Sequence, residues 1–212
     1  MSMALSILIS TRILDVVSIL KHIIKRFPVD PYLIGAFMNE CSVMWRSVEG
    51  FSDAVDYVRS LEPGITMSNN ILNATSSLCD EVNKILQKPT RLLMFFNIND
   101  WIRLLRGLYD FYGELIDPEP SLDIPNFVLS IRIPNKSLGL ALRIALKFLG
   151  INSNVFPGND GKLYLVIHER ESIARFIKTV KPHLDPELNI ALRNKWIKHY
   201  IGSGEPLVII KE

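Results

Sequence analysis

The sequence is poor in the residues that build small metal or disulfide sites. It has two cysteines and four histidines in 212 residues. Cys41 and Cys79 lie far apart and form no C-x-x-C pair, which excludes a zinc ribbon and predicts that no disulfide framework is present. The scattered histidines show no metal-ligand spacing. Such cysteine usage is typical of a protein from a reducing cytoplasm.

A long uncharged hydrophobic run is also missing. The most apolar stretch, residues 4–24, is interrupted by Arg12, Asp15 and Lys21, so it lacks the roughly 18 uncharged residues that a membrane span needs. It has neither the basic start nor the small-residue cleavage site of a signal peptide. We interpret residues 5–26 as a buried amphipathic helix.

The charges are unevenly divided along the chain. Residues 1–125 hold 11 Lys and Arg against 15 Asp and Glu, a net charge of −4, whereas residues 126–212 hold 13 against 7, a net charge of +6. A basic C-terminal half indicates a polyanionic partner, usually nucleic acid. An ordinary solvated surface explains the same charge equally well, so charge alone leaves both interpretations open.

The C-terminal half has the clearest secondary-structure pattern. FVLSIRI (residues 127–133) alternates as a strand with one buried face does. LGLALRIALKFLG (138–150) is amphipathic, NVFPGNDGKLYLVIHE (154–169) predicts a hairpin around PGNDG, and a helix follows over 171–180. With a strand after Gly113, this order predicts an α+β unit whose helices cover one face of an antiparallel sheet.

Two helices with similar sequences indicate an internal repeat. One runs from an Asp-Pro start at residue 30 to about Glu40, and the other runs from a cap at residue 99 or 100 to Tyr112. The stretches YLIGAFMNECS and LLRGLYDFYGE align, which places Gly35 opposite Gly107 and Glu40 opposite Tyr112. Each glycine costs a helix about 1 kcal/mol against alanine, so a packing role is expected.

These stretches resemble the motif of the LAGLIDADG homing endonucleases. LRGLYDFYG and LIGAFMNEC are similar to its two copies. The residues after the second copy follow the family's second repeat: a strand, a helix closed by LG and a branched residue, a hairpin, and a last helix before a His-and-Pro turn. The resemblance is good over residues 101–190, fair over 30–42, weak over 43–100 and absent from 1–28.

The resemblance implies two αββαββα repeats that form a saddle over DNA, with the motif helices crossing at Gly35 and Gly107. We expect an N-terminal helical extension over residues 1–28, a divergent first repeat over 29–100, and a second repeat with a C-terminal helix over 101–212. The first repeat has short strands and an extra helix, so the sequence leaves open whether it keeps a full sheet. A reduced sheet would supply half a saddle, which a homodimer could complete.

In active members of that family an acid at the eighth motif position ends each helix, and the two carboxylates hold divalent metals that cleave DNA. By this resemblance Glu40 is the remnant acid and the candidate metal ligand, whereas Tyr112 stands at the position of the second acid. A phenol has a pKa near ~10 and is a poor ligand for Mg²⁺. Cys41 replaces the glycine after the first motif, and Asp110 stands where the family's acid is usually structural. Double-strand cleavage is therefore expected to be impaired or lost, with Mg²⁺ needed only for any cleavage that remains.

Tyr112 also allows a plainer interpretation. It could be a core aromatic on an amphipathic helix, beside Leu105 and Tyr109. In the degenerate-site interpretation, replacing one of two neighbouring carboxylates by tyrosine removes their repulsion, and the hydroxyl could donate a hydrogen bond to Glu40. The sequence gives the two interpretations about equal weight.

The outward faces of the C-terminal strands would line the saddle. Their candidate nucleic-acid-binding residues are Ser130, Arg132, Lys162, Tyr164 and His168. A half-exposed sheet face with ordinary polar residues explains them equally well. The segment 113–125 opposes binding, because its carboxylates would repel a phosphate backbone unless they point away; these are Glu114, Asp117, Glu119 and Asp123.

Three functions are consistent with the sequence. The first is a protein that binds DNA or structured RNA and derives from a homing endonuclease, for instance a regulator or an intron-encoded splicing helper. The second is an active or nicking Mg²⁺-dependent endonuclease that uses Glu40 with Glu114 or Asp117. The third is a protein-interaction module on the same frame without nucleic-acid binding. We favour the first, for a cytoplasmic protein with no membrane association.

Overall fold

The computed structural model describes residues 29–47, 50–116 and 127–184. The N-terminal extension 1–28 and the helix predicted after residue 185 lie outside these ranges, as do three of the four carboxylates predicted to repel phosphate. None of the helices in the described ranges has the length and hydropathy that a membrane span requires.

The helices and strands of the second repeat follow the predicted order, and those of the first repeat follow it in part. The first repeat consists of α1 (Pro31–Phe37), β1 (Ser42–Met44), α2 (Phe51–Leu61), β2 (Thr66–Ser68), β3 (Ile71–Asn73) and α3 (Ser76–Gln87). A 3-10 turn (Pro89–Arg91) and a short helix α4 (Leu92–Phe95) lead into the second repeat. That repeat consists of α5 (Ile98–Tyr112), β4 (Gly113–Ile116), β5 (Val128–Ile133), α6 (Lys136–Phe148), β6 (Asn154–Pro157), β7 (Leu163–Ile167) and α7 (Arg170–Val180).

The two motif helices begin at side-chain caps. The Asp30 carboxylate accepts the Tyr32 N–H at 2.9 Å, as predicted for the start of α1. Helix α5 begins two or three residues earlier than predicted, because Asn97 is its N-cap and Asp100 completes a capping box at the third helical position. Helix α1 is shorter than predicted and ends at Phe37.

The strands form two antiparallel sheets on which the helices pack. The second sheet has the order β4-β5-β7-β6, whereas the first has three short strands in the order β1-β3-β2. In the described residues no strand lies between β1 and α2, at the place that β5 occupies in the second repeat, so β1 pairs directly with β3. The predicted α+β fold is confirmed, and the divergent first repeat has a reduced sheet.

The alternation predicted for β5 is confirmed by burial. Leu129, Ile131 and Ile133 are at most 2% exposed and face the helices. The same core contains the inward side chains of β7, Leu165 and Ile167, which are fully buried. The opposite face of this sheet is not covered by a helix of the described residues. We call it the outward face.

The crossing of α1 and α5 brings the two helix backbones into contact. A Cβ atom added at Gly35 would collide with the Leu104 carbonyl oxygen and lie 2.7 Å from the Leu108 nitrogen. One added at Gly107 would collide with the Tyr32 carbonyl oxygen. The predicted packing role of both glycines is therefore visible in the backbone geometry.

A buried carboxyl group fastens the crossing to the end of the second repeat. Asp110 is fully buried, and its side chain accepts the Tyr32 hydroxyl at 2.7 Å and the backbone N–H groups of His183 and Leu184 at 2.8 and 3.1 Å. The His183 Nδ1 atom lies 2.7 Å from the same carboxyl. This acid therefore has a structural environment, as the motif position implied.

The expectation of unpaired thiols is wrong. Cys41 and Cys79 form a disulfide, with Cα atoms 5.6 Å apart, that joins the end of the first motif to α3. Their separation of 38 residues hid this pairing, because α3 folds back beside β1 only in the tertiary structure. The disulfide also removes the cysteine argument for a reducing compartment, and the cytoplasmic location stays a prediction.

Substituting Gly107 by alanine should lower the free energy of unfolding by about 3 kcal/mol or more, because the new Cβ meets backbone that cannot move aside. Guanidinium unfolding measures the change. The matched control is Gly139→Ala in α6, where the nearest atoms are side-chain methyl groups of Ile133 and Val155 at 2.8 and 2.9 Å. There a gain in helix propensity of about 1 kcal/mol offsets repacking. Equal losses for both variants would contradict the contact at the crossing.

Reducing the disulfide should lower the free energy of unfolding by about 4 kcal/mol, because it releases a crosslink between residues 38 apart. Unfolding with and without a reductant measures this loss. The double variant Cys41→Ser, Cys79→Ser should match the reduced protein and show no response to reductant. Two titratable thiols per chain in the unfolded, unreduced protein would contradict the pairing.

Candidate functional site

The ends of the two motif helices meet around one arginine. The Arg132 guanidinium, from β5, forms an ion pair with the Glu40 carboxylate and lies over the Tyr112 ring, with Cζ 5.1 Å from the ring centroid. The Asn39 amide donates a 2.9 Å hydrogen bond to the Arg132 carbonyl oxygen. We call Glu40, Tyr112 and Arg132 the floor cluster, because it lies where the two repeats join.

Glu40 stands beyond the end of α1 rather than on it. The helix ends at Phe37, and Met38 closes it with a backbone bond to the Gly35 carbonyl oxygen. The Glu40 side chain is 52% exposed, while that of Arg132 is 23% exposed. The ion pair is therefore open to solvent on one side, and a competing anion can reach the arginine.

The Tyr112 hydroxyl oxygen is buried and makes no hydrogen bond of normal geometry, although the backbone N–H groups of Glu40 and Asn39 lie close to it. The Glu40 carboxylate accepts a hydrogen bond from Arg132 and none from the Tyr112 hydroxyl. The hydrogen bond between Tyr112 and Glu40 that the sequence suggested is therefore not formed. Burial raises the pKa of the Tyr112 phenol well above its ordinary value, the Glu40 charge adds to this, and Arg132 and the nearby Glu40 and Asn39 N–H groups oppose it. The phenol is thus a neutral group at working pH.

A second arginine lies at the end of α5. Arg46, two residues after β1, donates a 2.9 Å hydrogen bond to the Gly113 carbonyl oxygen at the C-cap of α5. Its Nη1 atom is buried without a partner, and burial lowers the pKa of its guanidinium. Each motif end is therefore met by an arginine from the other repeat. Sequence analysis missed Arg46, and a single arginine after a strand carries no pattern that could have indicated it.

The floor cluster does not fit a two-metal site. Divalent cations in such sites are held by converging carboxylates. Here Glu40 is occupied by Arg132, and the position of the second acid holds a buried neutral phenol. In the described residues no group of three or more His, Cys, Asp or Glu side chains is placed to hold a metal ion. We therefore derive no metal-dependent step from this cluster.

Two of the remaining candidate nucleic-acid residues, Ser130 and Tyr164, share the outward face with Arg132. Ser130 is on the outward face but only 7% exposed, between Glu114 on β4 and Val166 on β7. Tyr164 pairs across the strands with Arg132, and its hydroxyl donates to the Asp160 carboxylate at 2.8 Å. That hydrogen bond, with minor burial, raises the pKa of the Tyr164 phenol.

Two of these candidates lie at the margins of the second sheet. Lys162 precedes β7, and its Nζ atom is 3.6 Å from the Asp160 carboxylate. His168 follows β7 and is exposed. Arg132 is thus the candidate that the structure places at the junction of the repeats.

The outward face is more apolar than the sequence analysis expected. Large apolar side chains are exposed there, among them Ile116 at 39% and Phe156 at 50%. The four strands place Ile116, Val128, Phe156 and Val166 on this face by alternation from the buried residues. The apolar residues between the inward positions were the available signal for this face. The sequence analysis took only polar candidates there, namely Ser130, Arg132, Lys162, Tyr164 and His168.

No protein family model and no curated protein matches the sequence. Solved structures do resemble the fold. Full-length DUF199/WhiA from Thermatoga maritima is similar with a TM-score of 0.50 and 14% identity, over 83% of this chain and 63% of that one. The N-terminal LAGLIDADG domain of DUF199/WhiA gives 0.48 and 14%, over 74% and 87%. The homing endonuclease I-DmoI in complex with DNA and Mn gives 0.46 and 14%, over 71% and 94%.

The likeness to DUF199/WhiA is one of fold. The chain has a LAGLIDADG-like fold, with two antiparallel sheets and a pair of crossed helices, as the sequence resemblance implied.

Deleting the hydroxyl of Tyr112 should leave the free energy of unfolding unchanged or raise it by up to about 1 kcal/mol. The reason is that Tyr112→Phe removes a buried hydroxyl that makes no hydrogen bond of normal geometry. The matched control is Tyr32→Phe, which deletes a hydroxyl bonded to Asp110 and should cost about 1–3 kcal/mol. Urea unfolding of both variants measures the contrast. A loss for Tyr112→Phe as large as that for Tyr32→Phe would show that the hydroxyl has a partner.

Proposed function

We propose that this chain binds nucleic acid, DNA in the first place, and that it does not cleave both strands. The observation that carries the proposal is the floor cluster, in which Arg132 lies between the exposed carboxylate of Glu40 and the ring of Tyr112. The motif ends that would present two acids in an active enzyme here present an arginine. The LAGLIDADG-like fold supports the same class of ligand.

Arginine suits a phosphate better than any other side chain does. Its planar guanidinium donates in a fork that matches the oxygens of a phosphate, and it stays charged at every working pH. Arg132 is held in place by the Tyr112 ring below and by the bond of Asn39 to its backbone. A phosphate that reaches the exposed side of the guanidinium would exchange with Glu40, whose ion pair is partly solvated and worth little.

The first sheet contributes polar but uncharged groups to the same surface. Its nine strand residues contain no Lys, Arg, Asp or Glu. Ser42 donates a 2.8 Å hydrogen bond to the Asn73 amide oxygen across β1 and β3. Such groups can accept and donate at a groove without attracting phosphates from a distance. We therefore expect few phosphate contacts and a modest affinity, in which Arg132 has a large share.

A nicking endonuclease is the weaker candidate. It would need Glu40 to leave Arg132 and to share a metal with Glu114 or Asp117. Glu114 is exposed on the outward face, paired in register with Ser130, while Asp117 lies outside the described residues. Because Arg132 neutralises Glu40, the first ligand of such a site is already engaged.

The test is equilibrium binding of the full chain to duplex DNA and to a structured RNA across a salt series. We expect the logarithm of the affinity to fall with the logarithm of the salt concentration, with a slope of about −1 to −3, from few phosphate contacts. Arg132→Gln should weaken binding and reduce the slope by about 0.9, the loss of one contact. Glu40→Gln should strengthen binding, because it frees Arg132 and removes a charge that repels phosphate.

Arg143→Gln on α6 is the matched control for Arg132→Gln. Arg143 is exposed on the helical side of the second sheet, where it bonds the Ser153 carbonyl oxygen. The same change there should leave both affinity and slope unaltered. Absence of any salt-sensitive binding would contradict the proposal. Mg²⁺-dependent nicking that Glu40→Gln abolishes would favour the endonuclease instead.

A further inference from the structure

A shallow cleft lies on the outward face of the second sheet, next to the floor cluster, because Tyr164 in its lining is the cross-strand neighbour of Arg132. It has a volume of about 520 Å³ and crosses all four strands. Its apolar lining consists of Ile116, Val128, Phe156, Pro157 and Val166. We call it the sheet cleft.

The apolar lining of the sheet cleft is not needed for the core. The inward side chains of β5 and β7 already fill the space against the helices, and Leu129, Leu165 and Ile167 are fully buried. A solvated face of an antiparallel sheet normally carries polar residues. Here Phe156 is half exposed on the edge strand β6, in register with Tyr164. An exposed apolar cleft with polar margins is typical of a surface that another molecule covers.

The charged residues that line the sheet cleft are both acidic. They are Glu114 on β4 and Asp160 in the turn after β6, and the lining contains no Lys or Arg. The Glu114 side chain forms no hydrogen bond or ion pair within the described part of the chain, although Arg46 lies within range of its charge. Asp160 accepts the Lys162 N–H and the Tyr164 hydroxyl, bonds that lower the pKa of its carboxyl and keep it ionised. The Lys162 ammonium, 3.6 Å from Asp160, stands outside the lining and offsets only part of this charge.

The apolar lining and the two carboxylates together indicate the chemistry of the partner. Two carboxylates at the margins disfavour a phosphate backbone along the cleft, because the lining itself supplies no cation to offset them. A cationic side chain with an apolar neighbour satisfies both the charge and the lining. We propose that the sheet cleft binds a segment of another protein in which an apolar side chain stands next to arginine or lysine. This docking site adjoins the arginine of the floor cluster, but binding of the segment does not require nucleic acid at that arginine.

The test uses the full chain with labelled isoleucine and valine methyl groups, and three synthetic peptides observed by NMR titration. The first alternates arginine with leucine, the second has glutamate in place of arginine, and the third has serine in place of leucine. We expect the first alone to shift the methyl signals of Ile116, Val128 and Val166. Glu114→Gln should weaken that binding about 5-fold, as for one partly exposed charge pair. Phe156→Ser should weaken it about 10-fold or more.

Two substitutions of the same kind on the helical side serve as controls. Phe148→Ser removes a phenylalanine that is 78% exposed on α6, and Glu171→Gln removes an exposed carboxylate in the first turn of α7. Both should leave peptide binding unchanged. Four outcomes would overturn the proposal: equal binding of the acidic peptide, cleft shifts with a single-stranded oligonucleotide but none with the first peptide, self-association of the chain that Phe156→Ser abolishes, or no methyl shift with any peptide.

Discussion

The close approach of α1 and α5 at Gly35 and Gly107 is the constraint on which the rest of the structure depends. Each glycine faces backbone atoms of the other helix, so no side chain separates the two axes there. At this distance the last turns of both helices converge, and the residues that follow them are brought to one place. Glu40, from the first repeat, can meet Arg132, from the second, only because of this approach.

The buried carboxyl group of Asp110 also stabilises the crossing of α1 and α5. A carboxyl group without contact to water is costly unless its oxygens are satisfied, and here each accepts at least one hydrogen bond. Its partners come from α1 and from the turn after α7, so one side chain on α5 joins three parts of the chain. Gly50, at a positive φ of 79°, lets the start of α2 lie against the His183 carbonyl group. Asp110 thus stabilises the fold.

The second repeat could be predicted from its sequence, because its information is local. Alternation in FVLSIRI and the PGNDG turn define strands and register within a few residues. The first repeat could not, because its features are not local. The disulfide of Cys41 with Cys79 depends on where α3 folds back, and the loss of a strand after β1 leaves no sequence pattern. The fold family was accessible because the two glycine-containing stretches resemble its motif and the elements after the second stretch follow its order.

The residues of the candidate site were predicted, but the ion pair between Glu40 and Arg132 was not. Glu40, Tyr112 and Arg132 were each selected, yet no pattern in the sequence relates residue 40 to residue 132. Two carboxylates at adjoining helix C-termini would oppose both macrodipoles and repel each other. With Tyr112 neutral and with Arg132 and Arg46 at the two ends, the charge there has the sign that the helix dipoles favour. Such a junction is stable without a metal ion. It leaves a cation at the centre and carboxylates on the outward face of the second sheet, so neighbouring surfaces of one chain suit partners of opposite charge.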